Sequence, residues 1–126
     1  MAFVREFGAL VGTDESTLQS IGATSTHTGS EVDVLGDDAS LGEAWLYVVV
    51  TATVVSSIDV TINQRRVSGT AYQKLAADIN IPTINGTKRV PIGKWPVSRL
   101  LQADVQNFAS SGVSVLVGYE LEKFTP

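Results

Sequence analysis

Cysteine is absent from the 126 residues, and histidine occurs once, as His27. Without cysteine the chain has no disulfide, thiolate metal site or cysteine nucleophile, which suits a protein made in a reducing compartment. His27 lies among threonine, serine and glycine, where a histidine is typically a solvated loop residue rather than a base or a ligand. Glycine-rich phosphate loops and nucleophile elbows are also missing. We therefore expect no enzyme, no cofactor, no bound metal and no small-molecule substrate.

Positive charge and long apolar runs are scarce too. Nine basic and thirteen acidic side chains give a net charge of −4, the wrong sign for neutralising phosphates, so we expect no nucleic-acid partner. The longest uncharged apolar stretch, residues 44–55, is well short of the ~20 residues needed to cross a bilayer. Glu6 stands where a signal peptide would need an apolar run, so neither a membrane partner nor export by that route is expected.

What is present is a pattern of short strands around one apolar stretch. Residues 44–55, AWLYVVVTATVV, are rich in β-branched and aromatic side chains that crowd in a helix and fit a pleated strand, so they predict a central strand. Alternating apolar residues before and after it predict the other strands. The predicted core comprises Trp45 and Tyr47 or their alternates Leu46 and Val48, together with Ile58, Val60, Ile62, Val115, Val117 and Tyr119.

Turn residues divide the second half of the chain. Asn85-Gly86 favours a tight hairpin between strands at 78–84 and 87–92, which also explains the match of residues 85–87 to a glycosylation sequon. Pro82 and Pro91 cannot donate to a ladder, so both strands are predicted to lie at sheet edges or to pair irregularly. Residues 71–77 fit a helix or a strand, and we favour a strand or an irregular loop. About eight strands with regular turns indicate an all-β antiparallel sandwich or barrel.

The first thirty residues differ from the rest. Apolar residues near the start are followed by a predicted capped turn of helix at 13–18 and a small, polar stretch at 22–30. We interpret residues 1–30 as an extended N-terminal arm and loop, and residues 31–126 as the β-sandwich domain. The arm either reaches out to a partner or frays, and both alternatives stay open.

Charged clusters have simple explanations. Four acidic residues could gather calcium, although they lack EF-hand spacing and favour a solvated turn: Glu31, Asp33, Asp37 and Asp38. The basic pairs at 65–66 and 88–89 either protect sheet edges from aggregation or meet an acidic partner.

The order of the pieces resembles one family. Residues 28–36, 41–50, 87–93, 98–105 and 112–121 together are similar to the small cement (decoration) proteins on the heads of tailed bacteriophages. The resemblance spans most of the chain and consists of strand order and glycine placement, without a chemical motif. The segment between Ile62 and Ile79 is shorter than in relatives, which leaves the strand pairing there open.

The resemblance implies a jelly-roll sandwich that assembles as a homotrimer and clamps major capsid protein subunits from outside the virion, after synthesis in the host cytoplasm. On this basis the capsid-contact candidates are Phe3, Val4, Arg5 and Phe7, with Arg5 meeting acid on the partner. The oligomer-contact candidates are Trp95, Val97 and Phe108. One alternative is a carbohydrate- or receptor-binding β-sandwich of a phage tail, with Trp95 and Tyr72 stacking on sugars. Another is a structural domain of some other multimer.

Overall fold

The computed structural model describes residues 2–36 and 41–125, and within these the side chains of residues 5–36 and 42–123. All regular secondary structure in the described residues is β, which confirms the predicted fold class. The ten strands are β1 (Ala2–Val11), β2 (Gln19–Ile21), β3 (Thr26–Thr28), β4 (Val32–Asp33), β5 (Leu41–Ala52), β6 (Ser57–Arg65), β7 (Gln73–Pro82), β8 (Gly86–Pro96), β9 (Leu100–Asn107) and β10 (Val113–Thr125).

The strands form two antiparallel sheets that face each other. The first sheet has the order β1-β10-β5-β8, with β2 pairing β10 after β1 ends. The second has the order β3-β9-β6-β7, with β4 continuing beside β9. Each sheet therefore has four strand positions. The chain passes between the sheets at every connection except β1 to β2, β3 to β4 and β6 to β7. With eight strand positions in all, the architecture is a jelly roll.

The core lies between the sheets and contains the residues that alternation predicts. Ile58, Val60 and Ile62 are fully buried, and the three predicted core residues of β10 are at most 8% exposed: Val115, Val117 and Tyr119. On β5 the choice between alternates is resolved, because Leu46 and Val48 are buried. Trp45 and Tyr47 therefore point to the outer face of the first sheet.

The connection through Asn85 and Gly86 is not a hairpin, and that prediction is wrong. β7 pairs with β6 in the second sheet, whereas β8 pairs with β5 in the first. Thr83 holds this corner: its amide donates to the carbonyl of Ser56 (2.9 Å), and its hydroxyl donates to the carbonyl of Val54 (3.0 Å) and accepts from the amide of Ser56 (2.8 Å). Pro82 and Pro91 do lie on edge strands, as predicted.

The N-terminal segment belongs to the sandwich instead of forming a separate arm. β1 pairs with β10 from Ala2 to Val11, and Leu10 and Val11 are buried. β2 and β3 add to different sheets, so a division at residue 30 does not separate two structural units. The reason is the continuous edge of β10, which offers backbone partners along its length to an alternating apolar segment.

A turn at residues 12–18 replaces the predicted turn of helix. The Asp14 carboxylate accepts from the amide of Ser16 (2.8 Å), and Asp14 bridges Thr17. The turn crosses the outer face of the first sheet: a side chain at Gly12 would stand 3.3 Å from Leu116 Cδ1. Leu116, which points away from the core, is consequently only 1% exposed.

No described segment of the chain is a helix of the length and hydrophobicity required to cross a membrane.

Candidate functional site

Aromatic side chains gather on the outer face of the first sheet. The register places Phe7 opposite Glu120 and Glu120 opposite Trp45, so that one row runs across β1, β10 and β5. Phe7 is 70% exposed and Trp45 is 46% exposed. The next row along the strands contains Tyr47 and, beside it on β8, Pro91. We call Phe7, Trp45, Tyr47 and Pro91 the aromatic patch.

The Tyr47 ring lies flat on the sheet. A Cβ at Gly118 would stand 2.3 Å from Tyr47 Cζ, so the ring occupies the space that a side chain on β10 would fill. The Arg89 guanidinium covers the other side, 4.2 Å from the ring centroid, and is ion-paired with Glu15 of the 12–18 turn. Tyr47 is therefore held between backbone and cation, and its position is fixed before any partner arrives.

Between the aromatic rings the surface forms an open depression of about 430 Å³. It is lined by Phe7, Trp45, Tyr47, Arg89, Pro91 and Glu120. Its size is within the range of ligand and peptide pockets, and most of its lining is apolar.

A network of ion pairs borders the patch. Arg5 contacts Glu120 (3.2 Å) and Glu122 (3.0 Å) on β10. Lys94 contacts Glu43 (3.2 Å) and Glu122 (3.8 Å), and its ammonium lies 5.5 Å from the centroid of the Trp45 ring. The cations and carboxylates here are thus largely compensated within the chain itself.

The predicted capsid-contact residues share strand β1. Phe7 and Arg5 lie on the outer face, within the patch and at its border. The backbone of Phe3 and Val4 continues the same strand, and their side chains lie outside the described ones. Arg5 was expected to meet acid on a partner, yet its guanidinium already meets two carboxylates of its own sheet.

The predicted oligomer contacts are not brought together. Trp95 and Val97 are partly buried against the core, near the beginning of β5, where Trp95 pairs with Ala44. Phe108 is 44% exposed at the opposite end of the sandwich, where its amide donates to the carbonyl of Ser57. The three residues therefore do not form one surface within a single copy.

Tyr72, an expected sugar-stacking residue, is engaged by its neighbours. Its hydroxyl donates to Glu31, whose carboxylate also accepts from Arg65 Nε at 2.6 Å, and the Arg65 guanidinium lies 4.4 Å from the Tyr72 ring centroid. Hydrogen bonds from Arg65 and Tyr72 hold the pKa of Glu31 below its ordinary value. Burial, then the hydrogen bond to Glu31, raises the pKa of Tyr72. The cluster stabilises the loop after β6, where Arg65 also donates to the carbonyl of Thr70.

The two described carboxylates of the acidic run, Glu31 and Asp33, each form an ion pair with an arginine. Asp33 accepts from Arg99 (2.8 Å to Nη2) and from the amide of Gly36 (2.9 Å), and the hydrogen bond from Arg99 lowers its pKa. Asp37 and Asp38 lie outside the described residues. Among the residues that are described, no cluster of histidine and carboxylate side chains could hold a metal ion.

The strand order defines the class of fold, a jelly-roll β-sandwich, and one sheet carries an exposed aromatic surface. No protein-family model and no curated protein matches the sequence. The fold does match solved structures of infectious bursal disease virus.

Three such chains come from the virus particle (TM-score 0.64, 12% identity), the Gx strain (0.60, 11%) and the VP2 subviral particle (0.57, 12%). The matches cover 95%, 97% and 95% of this chain but only 31%, 33% and 32% of the viral chains. This chain therefore spans about one third of their length. At these identities the similarity is one of fold.

Proposed function

We propose that this chain is a structural virion protein, a cement (decoration) protein that binds the outer surface of a phage head and bridges major capsid protein subunits. One observation carries the proposal: a jelly roll that superposes along 95% of its length on a chain of a virus particle. The resemblance of the strand order to phage cement proteins, and the aromatic patch left uncovered on one sheet, support it.

The proposed mechanism is binding linkage. A protein that binds only the assembled shell stabilises it by an amount that grows with the ratio of its free concentration to its dissociation constant. A homotrimer strengthens this effect, because its second and third contacts form at a high effective concentration. Such a protein needs a stable scaffold and a docking surface, and it needs no catalytic centre.

Two groups of contacts belong to this proposal. Phe3, Val4, Arg5 and Phe7 on β1 are the capsid-contact candidates, and the partner is the major capsid protein. For the homotrimer, Phe108 is the candidate that the monomer leaves exposed. Its turn lies beside the turns that carry Val55, 81% exposed, and Ile84, 41% exposed.

Heads of the virus that encodes the chain provide the test. Purified heads lacking the protein are mixed with it, pelleted, and heated while DNA release is followed. We expect saturable binding outside the shell and release at a higher temperature in the bound heads. An intact, folded protein that leaves pelleted heads bare would refute the proposal.

A second candidate function is carbohydrate binding, because exposed Trp45 and Phe7 border a depression with Glu120 and Arg89 at its sides. Jelly rolls also occur as lectin domains. Saturable binding of a glycan by the intact protein, with no affinity for heads, would favour this candidate over the first.

A further inference from the structure

We infer that the aromatic patch is the surface through which this chain docks, and that its partner surface on the shell subunit is apolar and uncharged. The inference rests on the proposed function and narrows it, because it assigns the contact to the centre of the sheet face and gives the chemistry of the partner. Trp45 is its central residue.

The first support is exposure without a structural need. Phe7 and Trp45 contribute nothing to the buried core, yet they lie in one row on the outer face of the sheet and are 70% and 46% exposed. Elsewhere on the same face Leu116 lies beside Gly12 of the 12–18 turn, and the outward residues Leu116 and Val49 are 1% and 5% exposed. One part of this face is thus covered by the chain itself, and the adjoining part is left open.

The second support is rigidity. Tyr47 is fixed between Gly118 and Arg89, and Lys94 lies over the Trp45 ring. Side chains that are already ordered lose little conformational entropy on binding, and buried tryptophan and tyrosine dominate the binding energy of many interfaces. The patch is suited to a protein partner without rearrangement of the sheet.

The third support is charge, and it decides the chemistry of the partner. Arg5 and Lys94 are each paired with two carboxylates of the same sheet, and Arg89 is paired with Glu15. A charged partner would have to displace these contacts. It would also be attracted only weakly, because the paired charges at the border of the patch nearly cancel. An apolar, uncharged surface leaves the network intact and buries the rings.

The experiment compares variants on purified heads of the encoding virus. Trp45→Ser and Phe7→Ser remove the exposed rings, Trp45→Phe keeps an apolar ring, and Val67→Ser removes a similarly exposed apolar side chain from a turn outside the patch. We expect Trp45→Ser to weaken binding at least about tenfold and Phe7→Ser to weaken it less. The Trp45→Phe and Val67→Ser variants should bind heads about as tightly as the parent.

Salt dependence tests the chemistry of the partner. Binding of the parent should change less than about threefold between about 50 and about 500 mM NaCl, because screening acts on charged contacts and spares apolar burial. A steep loss of binding with salt would overturn the uncharged partner.

Other outcomes would overturn the inference while leaving the proposed function intact. Heads that bind Trp45→Ser as tightly as the parent would place the contact elsewhere. A change of oligomeric state in Trp45→Ser, with unchanged binding per copy, would assign the patch to a second copy. Glycan binding that Trp45→Ser abolishes, with head binding unchanged, would assign it to a sugar. If the parent itself does not bind heads, the proposed function fails instead.

Discussion

The absence of a side chain at Gly118 fixes the position of the Tyr47 ring on the outer face of the first sheet. Tyr47 rests on Gly118 so closely that a Cβ there would stand 2.3 Å from the ring. Because glycine has no side chain, the Tyr47 ring from the adjacent strand occupies the space above Gly118. The Tyr47 side chain therefore lies along the sheet, whereas the Trp45 side chain is exposed.

We expect Gly118→Ala to destabilise the protein by about 1 to 3 kcal/mol, because the Tyr47 ring has to leave its position. The cost should nearly vanish in a Tyr47→Ala background, which a double-mutant cycle in urea unfolding would measure. Gly112→Ala is the control, since its Cβ would meet only the Ile21 carbonyl at 3.4 Å. Equal costs in both backgrounds would contradict the account.

A second residue-scale prediction concerns Glu31 and pH. Its folded pKa lies below its ordinary value of 4.5, chiefly through the hydrogen bond from Arg65. The ionised carboxylate thus contributes stability that is complete above the unfolded pKa and is lost as pH falls through the lower, folded pKa. We expect the free energy of unfolding to decline below about pH 4.5 and to decline less steeply in Glu31→Gln.

Urea unfolding at a series of pH values would measure this. Asp33→Asn serves as the matched comparison. The hydrogen bond from Arg99 lowers the pKa of Asp33 as well, and the ordinary pKa of this carboxyl, 3.8, is below that of Glu31. An acid profile of Glu31→Gln that is parallel to the parent would show that Glu31 does not contribute.

At the scale of elements, β1 combines two roles. Its inward end buries Leu10 and Val11, and its outward face carries Phe7 and Arg5. The same strand therefore closes the core and borders the aromatic patch. A deletion of the strand would confuse these roles, whereas single substitutions separate them.

Deletion of residues 2–12 should unfold or strongly destabilise the free protein, because it exposes the edge of β10 and removes two buried aliphatic side chains worth about 3 to 6 kcal/mol together. Phe7→Ser should change the free energy of unfolding by less than about 0.5 kcal/mol, since its ring is 70% exposed. Thermal unfolding followed by circular dichroism compares the two. A stable deletion variant would make β1 a detachable arm after all.

At the scale of the whole molecule, the jelly roll presents different surfaces in different directions. The outer face of the second sheet is polar: Asn63 donates to Gln102 (3.0 Å) and Asp104 (3.0 Å), and Asn80 donates to Asp59 (2.9 Å). The outer face of the first sheet is aromatic, and one end of the sandwich carries Phe108. The polar face of the second sheet is thus separate from the two candidate contact surfaces, the aromatic patch and the end that carries Phe108.

We expect a homotrimer in solution, with a light-scattering mass close to three times 13.4 kDa. Phe108→Ser should shift the mass toward one copy without loss of the β circular dichroism spectrum, because the exposed ring is removed and the core is untouched. A single-copy mass for the parent at high micromolar concentration would contradict the trimer.

The sequence by itself determined the class of the fold and most of the core. Alternation of apolar and polar residues identified β6 and β10, since a period of two fixes which side chains share a face. The prolines at 82 and 91 predicted edge strands or irregular pairing, because proline cannot donate to a ladder, and β7 and β8 do lie at sheet edges. Both features are local, because they depend only on the residues within one strand.

The tertiary structure decided what depends on partners far apart in sequence. Alternation could not choose between Trp45 and Leu46 as core, because the choice requires the second sheet that covers one side of β5. Asn85-Gly86 favours a tight turn locally, but Thr83 and its bonds across to Val54 and Ser56 send the next strand to the other sheet. The aromatic patch itself exists only because pairing aligns β1, β10, β5 and β8, and register between distant strands is a property of the assembled sheet.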